Sequence, residues 1–181
     1  MALGSTVFKA RISVADVDRG YYADHALALA RHPSETDERM MVRLLAFVLH
    51  AAERLEFGPG LSTPDEPALR RTTLSGELEL WIEVGLPEEK TLRRAVGRAA
   101  RVVVFAYGGR GVDIWWQKQG GAISRLPRLE VWRIAGEECA ALGGLARPGM
   151  ELQFTRQDGA LLVSSVRGVV EVTPVSLYAA A

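Results

Sequence analysis

The sequence predicts an α/β fold: one compact domain over residues 1–181, with a mixed β-sheet, a parallel crossover and flanking helices. A chain of 181 residues is long enough to bury a sizeable core without dividing into two domains. Residues 78–107 read as strand, helix and strand, which is the order of a parallel crossover. Hairpin signals near both ends predict that antiparallel strands are added to this sheet.

The N-terminal segment predicts a β-hairpin. Apolar and polar side chains alternate over residues 6–15, which indicates a strand, and residues 16–20 supply turn chemistry. Residues 25–31 alternate large and small side chains, although their alanines and leucines also favour a helix. We interpret them as the second strand of the hairpin.

A helix and a loop are predicted next. Ser34, three residues before Asp37, is typical of a helix cap, and apolar residues then recur at helical spacing over residues 41–55. Residues 57–76 are rich in Gly, Pro, Ser and Thr, which predicts a long connection. Alternation over residues 78–84 then indicates a strand with Glu79, Trp81 and Glu83 on one face.

The second half predicts a helix from Pro87 to about Ala100 and a strand at 101–107 that is covered on both faces. A glycine turn at 108–111 leads to a strand predicted at 113–117. The remaining predicted elements are strands at 129–134, 150–156, 160–167 and 169–173 and a short helix at 136–142.

Composition restricts the class of function. Lys plus Arg equals Asp plus Glu at 22 each, so a protein that coats nucleic acid with its whole surface is not expected, although a local basic groove remains open. The single Cys139 excludes an internal disulfide and favours a reducing compartment, so we expect a cytoplasmic protein. No run approaches the ~18 apolar residues that span a bilayer, and no membrane association is expected.

Three carboxylates are the candidate site. Glu38 falls on the apolar face of the predicted helix, Asp65 follows Pro64 in the long loop, and Glu83 ends a predicted strand. Converging carboxylates repel one another unless a cation lies between them, and all-oxygen sites suit magnesium or manganese. This spacing resembles a metal-dependent nuclease motif, except that Gly85 stands where a lysine is expected.

Structural explanations of the same residues stay open. Glu38 also suits the positive end of a helix dipole or an ion pair with Arg39 or Arg43, and Asp65 suits an ordinary turn. Lys90, Arg94, Arg98 and Arg101 fall on one helical stripe, which either faces phosphates or is simply solvated.

Five segments carry a family resemblance: ARHPSE at 30–35, ERMM at 38–41, DEP at 65–67, LWIEVGLP at 80–87 and IWWQ at 114–117. Over these segments, and nearly end to end from Ala2 to Trp132, the chain resembles the YaeQ family of bacterial proteins. The resemblance implies an α/β fold built on a variant of the PD-(D/E)xK nuclease core, the restriction-endonuclease-like fold. In that core a helix, strands, a crossover helix and further strands carry an acidic cluster.

The resemblance also implies roles for individual residues. Glu38 corresponds to the helix carboxylate, Asp65 to the aspartate of the motif and Glu83 to its second acid. Gln117 or Lys118, on the next predicted sheet segment, takes the place of the missing lysine if that function has migrated.

Two hypotheses follow from these residues. In the first, the protein is a Mg²⁺- or Mn²⁺-dependent phosphodiesterase acting on nucleic acid, with the metal held by Asp65, Glu83 and Glu38. In the second, a non-catalytic module keeps the nuclease-like fold and binds nucleic acid, a protein partner or a small ligand, because fold alone does not determine chemistry. No organic cofactor is expected.

Overall fold

Two mixed β-sheets and four helices make up residues 4–59 and 65–181, the parts of the chain described by a computed structural model. The helices are α1 (Asp37–His50), α2 (Glu89–Arg98), α3 (Arg110–Ile123) and α4 (Gly136–Gly143). The strands are β1 (Thr6–Asp16), β2 (Tyr21–Arg31), β3 (Leu55–Phe57), β4 (Leu69–Thr72), β5 (Leu78–Val84), β6 (Arg101–Ala106), β7 (Leu129–Arg133), β8 (Met150–Gln157), β9 (Ala160–Ser165), β10 (Gly168–Val172) and β11 (Val175–Ala179).

The five-stranded sheet has the order β10-β9-β8-β1-β2, and only its β1–β8 pair is parallel among the described strands. The six-stranded sheet has the order β11-β7-β6-β5-β4-β3, with β5, β6 and β7 parallel to one another. The predicted hairpin and crossover are confirmed. The terminal hairpin strands, however, build a second sheet rather than extending the first, because β1 pairs with β8 across most of the chain length.

Helix α1 lies between the two sheets. Its residues from Met40 to Leu49 are all buried, so the helix is covered on every side rather than on one apolar face. It packs in one core with β1 and β8 of the five-stranded sheet and with β5 and β6 of the six-stranded sheet. Helices α2 and α3 cover the opposite face of the six-stranded sheet and form a second core there.

Three local predictions are wrong. The helix cap is Thr36, whose Oγ1 accepts from the Arg39 amide at 3.1 Å, whereas the Ser34 hydroxyl bonds to His32 Nδ1 at 2.6 Å. The loop predicted at 57–76 contains β4, and β3 ends in it, because strands of three and four residues leave little periodic signal. Residues 113–117 belong to helix α3 instead of a strand.

The parallel strands β5, β6 and β7 bring their carboxyl ends together at one edge of the six-stranded sheet. Ligands of open α/β sheets usually lie at such an edge. Strand β5 is followed there by Gly85, and β6 by the turn Gly108–Gly109 that begins α3. No helix in the described parts of the chain is both long and apolar enough to cross a bilayer.

Candidate functional site

Glu83 occupies the carboxyl end of β5 and is largely enclosed. Its Oε1 accepts a hydrogen bond from Trp81 Nε1 at 2.7 Å, since the two side chains share one face of the strand. Burial raises the pKa of Glu83, while this hydrogen bond and the charge of Arg39 act in the opposite direction. The carboxyl group is therefore suited to holding a proton, which is a property of acid–base groups rather than of a strong metal ligand.

Glu38 faces α4. An ideal Cβ on Gly143 would lie 2.9 Å from Glu38 Cγ and 3.3 Å from its backbone nitrogen, so the end of α4 rests directly on the first turn of α1. Burial raises the pKa of Cys139, and the charges of Glu38 and Glu138 raise it further, to about 12 in total. Glu38 is thus beside α4. It does not pair with Arg39 or Arg43, which both bind Glu35.

Asp65 faces α2. Its carboxylate pairs with Arg94 at 2.8 Å, and its backbone carbonyl accepts from Arg98 Nη1 at 3.0 Å. The side chain is exposed, whereas the neighbouring Pro67 is buried. Pro64, the other half of the predicted motif, lies outside the described residues.

The three acids have three different sets of partners. Across residues 4–59 and 65–181, no group of three or more His, Cys, Asp and Glu side chains is placed to hold a metal ion. In this arrangement the donor set predicted for Mg²⁺ or Mn²⁺ does not converge. A metal at these residues would require Asp65 to leave Arg94 and Glu83 to leave Trp81.

Gly85 has a physical reason to stand where a lysine is expected. Its φ is 125°, a backbone conformation that side-chain-bearing residues rarely adopt, and its amide donates to the Phe105 carbonyl at 3.0 Å. A lysine at this position would strain the backbone that leads from β5 toward α2.

Gln117 and Lys118 lie on α3, and both side chains are exposed. The segment is helical because Val112, Trp115 and Ile123 bury one face of it, and Trp115 Nε1 donates to the Pro87 carbonyl at 2.9 Å. The strand on which the two residues were predicted does not form.

A shallow groove runs along α2. We call it the α2 groove: it encloses about 420 Å³ and is lined by Asp65, Trp81, Thr91, Arg93, Arg94, Gly97 and Arg98. Helix α2 contains four basic residues and one acidic residue, and all four basic side chains are exposed. The guanidinium carbon of Arg98 lies 4.9 Å from the centre of the Trp81 ring, so the cation covers an aromatic face.

Three of the four residues of the predicted basic stripe lie on α2, and two of them, Arg94 and Arg98, line the α2 groove. Lys90, Arg94 and Arg98 lie on α2, but Arg101 begins β6 and bonds to Glu130 through Nε at 2.8 Å. Arg93 joins the α2 groove and pairs with Glu89 at 2.6 Å.

A buried ion cluster beside the site was not predicted. Glu35 and Arg43 are only 5% and 1% exposed, and Arg43 forms two bonds to the Glu35 carboxylate at 2.7 and 2.8 Å. Arg39 bonds to the same carboxylate at 2.6 Å and is the charge that acts on Glu83. The signal that was present is the spacing of Arg39 and Arg43 by four residues, which places them on one side of α1, with Glu35 just before the helix cap.

Comparison with known proteins gives consistent matches. The family model described as "YaeQ protein" matches residues 1–174. The "Uncharacterized protein YaeQ" of Salmonella typhi is 46% identical over 174 residues, covering 95% of each chain, and that of Escherichia coli strain K12 is 44% identical over the same length and coverage.

Two solved structures are similar as well. The YaeQ protein from Xanthomonas axonopodis pv. citri superposes with a TM-score of 0.93 at 46% identity, covering 97% of this chain and 99% of that one. The YaeQ protein from Pseudomonas syringae gives 0.92 at 35% identity, covering 97% of both chains.

Proposed function

The chain belongs to the YaeQ family, and we propose that it is a non-catalytic module that binds nucleic acid through the α2 groove. The observation that carries the proposal is the state of Asp65. This acid, the best candidate for a motif metal ligand, is paired with Arg94 and has its carbonyl bound by Arg98. Asp65 therefore forms part of a basic groove, where its carboxylate binds Arg94 and its backbone carbonyl binds Arg98.

The fold supports a nuclease-like ancestry for this module. α1, the strands β3, β4 and β5, the crossover helix α2 and the strand β6 follow one another in the order that the family resemblance implies. We propose that these elements are a variant of the PD-(D/E)xK core. A fold does not determine the chemistry of a protein, so the function depends on the residues of the α2 groove.

The α2 groove has the features of a phosphate-backbone site. Arg93 and Arg94 in the lining of the groove and Lys90 on the same helix are all exposed, so their charges are accessible to phosphates. The guanidinium carbon of the exposed Arg98 lies 4.9 Å from the ring centre of the buried Trp81, so the guanidinium is positioned over the ring and offers a planar group against which a base can stack. Net charge in the whole chain is zero, so this local excess of cations directs a polyanion to one face.

A titration of labelled duplex DNA and single-stranded RNA, followed by fluorescence anisotropy across salt concentrations, tests the proposal. With about three phosphates contacted, the logarithm of affinity for duplex DNA falls against the logarithm of salt with a slope of about −3. Lys90→Gln and Arg94→Gln each reduce that slope by about one. Arg125→Gln, which removes an exposed charge from the segment after α3, is the matched control. A flat salt response, or an equal loss in the control, contradicts the proposal.

A metal-dependent phosphodiesterase is the second candidate. The observation that favours it is the place of Glu83, at the carboxyl end of a parallel strand with a pKa raised by burial. Glu38, Asp65 and Glu83 would hold Mg²⁺ or Mn²⁺, and Lys118 or Gln117 would assist. Calorimetric titration of both cations into the wild type and Glu83→Gln decides between the candidates: binding that the variant loses favours the enzyme, and absence of binding favours the module.

A further inference from the structure

An arginine-lined pocket of about 300 Å³ lies at the end of α1 opposite to Glu38. Leu49, Phe105 and Trp132 are apolar residues of its lining. Four arginines and one histidine surround it, and we call it the arginine pocket: Arg19, Arg71, Arg101, Arg156 and His50, with Glu130 as the acidic residue of the lining. It lies on the α1 side of the six-stranded sheet, whereas α2 packs on the other side, so it is separate from the α2 groove.

The strand registers explain why the arginines meet. Arg71 on β4 and Arg101 on β6 both pair with Leu80 of the strand between them, which places the two side chains in one cross-strand row. Arg101 also shares a sheet face with Phe105, toward α1, because alternate residues of β6 face the same way. The turn after β1 and the end of β8 bring Arg19 and Arg156 over this row from the other sheet.

Arg19 is held by contacts within the fold. Arg19 bonds to Asp16 through Nε at 2.7 Å and to the last carbonyls of α1, Val48 at 3.0 Å and Ala51 at 3.2 Å. These contacts close the C-terminal end of α1, where a cation is favourable. All three side-chain nitrogens of Arg19 are therefore engaged in the fold, and its main contribution to the pocket is charge.

The other arginines keep donors for a ligand. Arg71 bonds to Glu79 only through Nε, at 3.0 Å, and Arg101 bonds to Glu130 through Nε and Nη2. Arg156 has a single long bond, from Nη1 to Asp16 at 3.4 Å. Its Nε is buried without a hydrogen-bond partner among the described residues, since Asp18 at 3.3 Å is not aligned to accept.

The positive charges around the pocket act on His50. Burial lowers the pKa of His50, and the charges of Arg101, Arg19, Arg156 and Arg71 lower it further, to about 3. The ring is packed edge-on against Phe105 at a centroid distance of 5.8 Å. The carboxylates that pair with the arginines thus leave a positive potential at the centre of the pocket.

We propose that the arginine pocket binds the phosphate group of a small phosphorylated ligand. Guanidinium groups match phosphate oxygens in pairs, and the under-used donors of Arg71, Arg101 and Arg156 approach from two different sheets. A volume of about 300 Å³ is at the lower end of the range for small-molecule sites. The ligand would bridge the two sheets and hold them together at this end of α1.

The probe is inorganic pyrophosphate, compared with sodium chloride at the same ionic strength. Isothermal calorimetry on the full chain is expected to show saturable binding of pyrophosphate to the wild type and at least tenfold weaker binding to Arg71→Gln. Arg125→Gln, which removes an equal charge from an exposed position after α3 and outside both sites, is the matched control and keeps wild-type affinity. Arg71→Lys, which retains the charge but not the fork of donors, falls between the two.

A second readout needs no variant. Bound pyrophosphate neutralises the positive charge of the arginines around His50, so the NMR resonances of the His50 ring move and the pKa of His50 rises. The ring resonances of His32, at the other end of α1, stay in place. Heats equal to those of sodium chloride, unmoved His50 resonances, or equal affinity in Arg71→Gln and the wild type would each overturn the proposal.

Discussion

Burial and one hydrogen bond set the protonation of Glu83. The structure places the acid where the sequence predicts, at the end of β5, but its partner is Trp81 rather than two other carboxylates. Alternation along a strand shows which side chains share a face, and it does not show which side chains from other elements arrive there. For that reason the position of Glu83 at the end of a strand was predictable and its environment was not.

Replacing Glu83 with Gln is expected to stabilise the protein at neutral pH. The pKa of Glu83 is raised in the fold, so the wild type loses stability as pH rises from the ordinary glutamate pKa to the folded pKa, by about 1.4 kcal/mol for each pH unit that separates them. The amide keeps an oxygen for Trp81 and has no such loss. Urea unfolding of both proteins across pH measures the difference, which grows on going from acid to neutral pH.

Glu53→Gln is the control for this experiment, since Glu53 is exposed. It is expected to change the free energy of unfolding by less than about 0.5 kcal/mol at any pH. A Glu83→Gln variant that is less stable than the wild type at neutral pH would mean that an ionised Glu83 is held by a favourable partner.

At the scale of elements, the close contact of α4 with α1 fixes Glu38. Gly143→Ala is expected to destabilise by about 1–3 kcal/mol, because its Cβ would lie 2.9 Å from Glu38 Cγ. Gly121→Ala on α3 has no heavy atom of the described residues within 4 Å of its ideal Cβ and is expected to stabilise by about 0.5–1 kcal/mol. Denaturant unfolding of the two variants separates helix propensity from packing; a stabilised Gly143→Ala would contradict the contact.

The elements that the sequence predicts correctly are those with a long or regular pattern. β1, α1 and β6 have eleven, fourteen and six residues with clear periodicity or a continuous apolar run, and all three form. The α3 segment reads as a strand because Trp115 and Trp116 favour strands, whereas its burial repeats with helical spacing. β11 was not predicted; it pairs with β7 with a register shift in its middle.

At the scale of the whole molecule, one buried acid joins the five-stranded sheet to α1. Asp16 ends β1 without exposure to solvent and bonds to Arg19, which in turn binds the last carbonyls of α1. Burial by itself would raise the pKa of Asp16, but the bonds from Arg19 and the charge of Arg156 hold it below its usual range. The ion pairs therefore contribute stability above the ordinary aspartate pKa, and this contribution is lost as pH falls through the lowered one.

Asp16→Asn is expected to lower the free energy of unfolding by about 3 kcal/mol at neutral pH, because two arginines lose their buried partner. The gap from the wild type narrows as pH falls below about 3.9. Thermal unfolding across pH measures it, with Asp158→Asn at an exposed turn as the control. A variant that matches the wild type at neutral pH would show that the network is not a stabilising one.

The family was predictable from short segments spread over the chain, and that prediction is confirmed. The division into two sheets was not, because the parallel pairing of β1 with β8 joins residues too distant in sequence for any local pattern to indicate it. The same long-range pairing brings Arg19 and Arg156 together, so the arginine pocket could not be predicted from the sequence either.

A protein that binds nucleic acid through the α2 groove without catalysis binds it in the absence of metal and leaves it intact. The measurement is an anisotropy titration of labelled single-stranded RNA and duplex DNA in EDTA and in Mg²⁺ or Mn²⁺, with the oligonucleotide then resolved on a denaturing gel. At matched ionic strength, affinity in EDTA is expected to be at least as high as in Mg²⁺ or Mn²⁺, because divalent cations compete for the phosphates, and the oligonucleotide is expected to stay uncut. Binding that requires the metal, or cleavage that Glu83→Gln abolishes, would contradict the proposed function and identify the acids as a catalytic metal site.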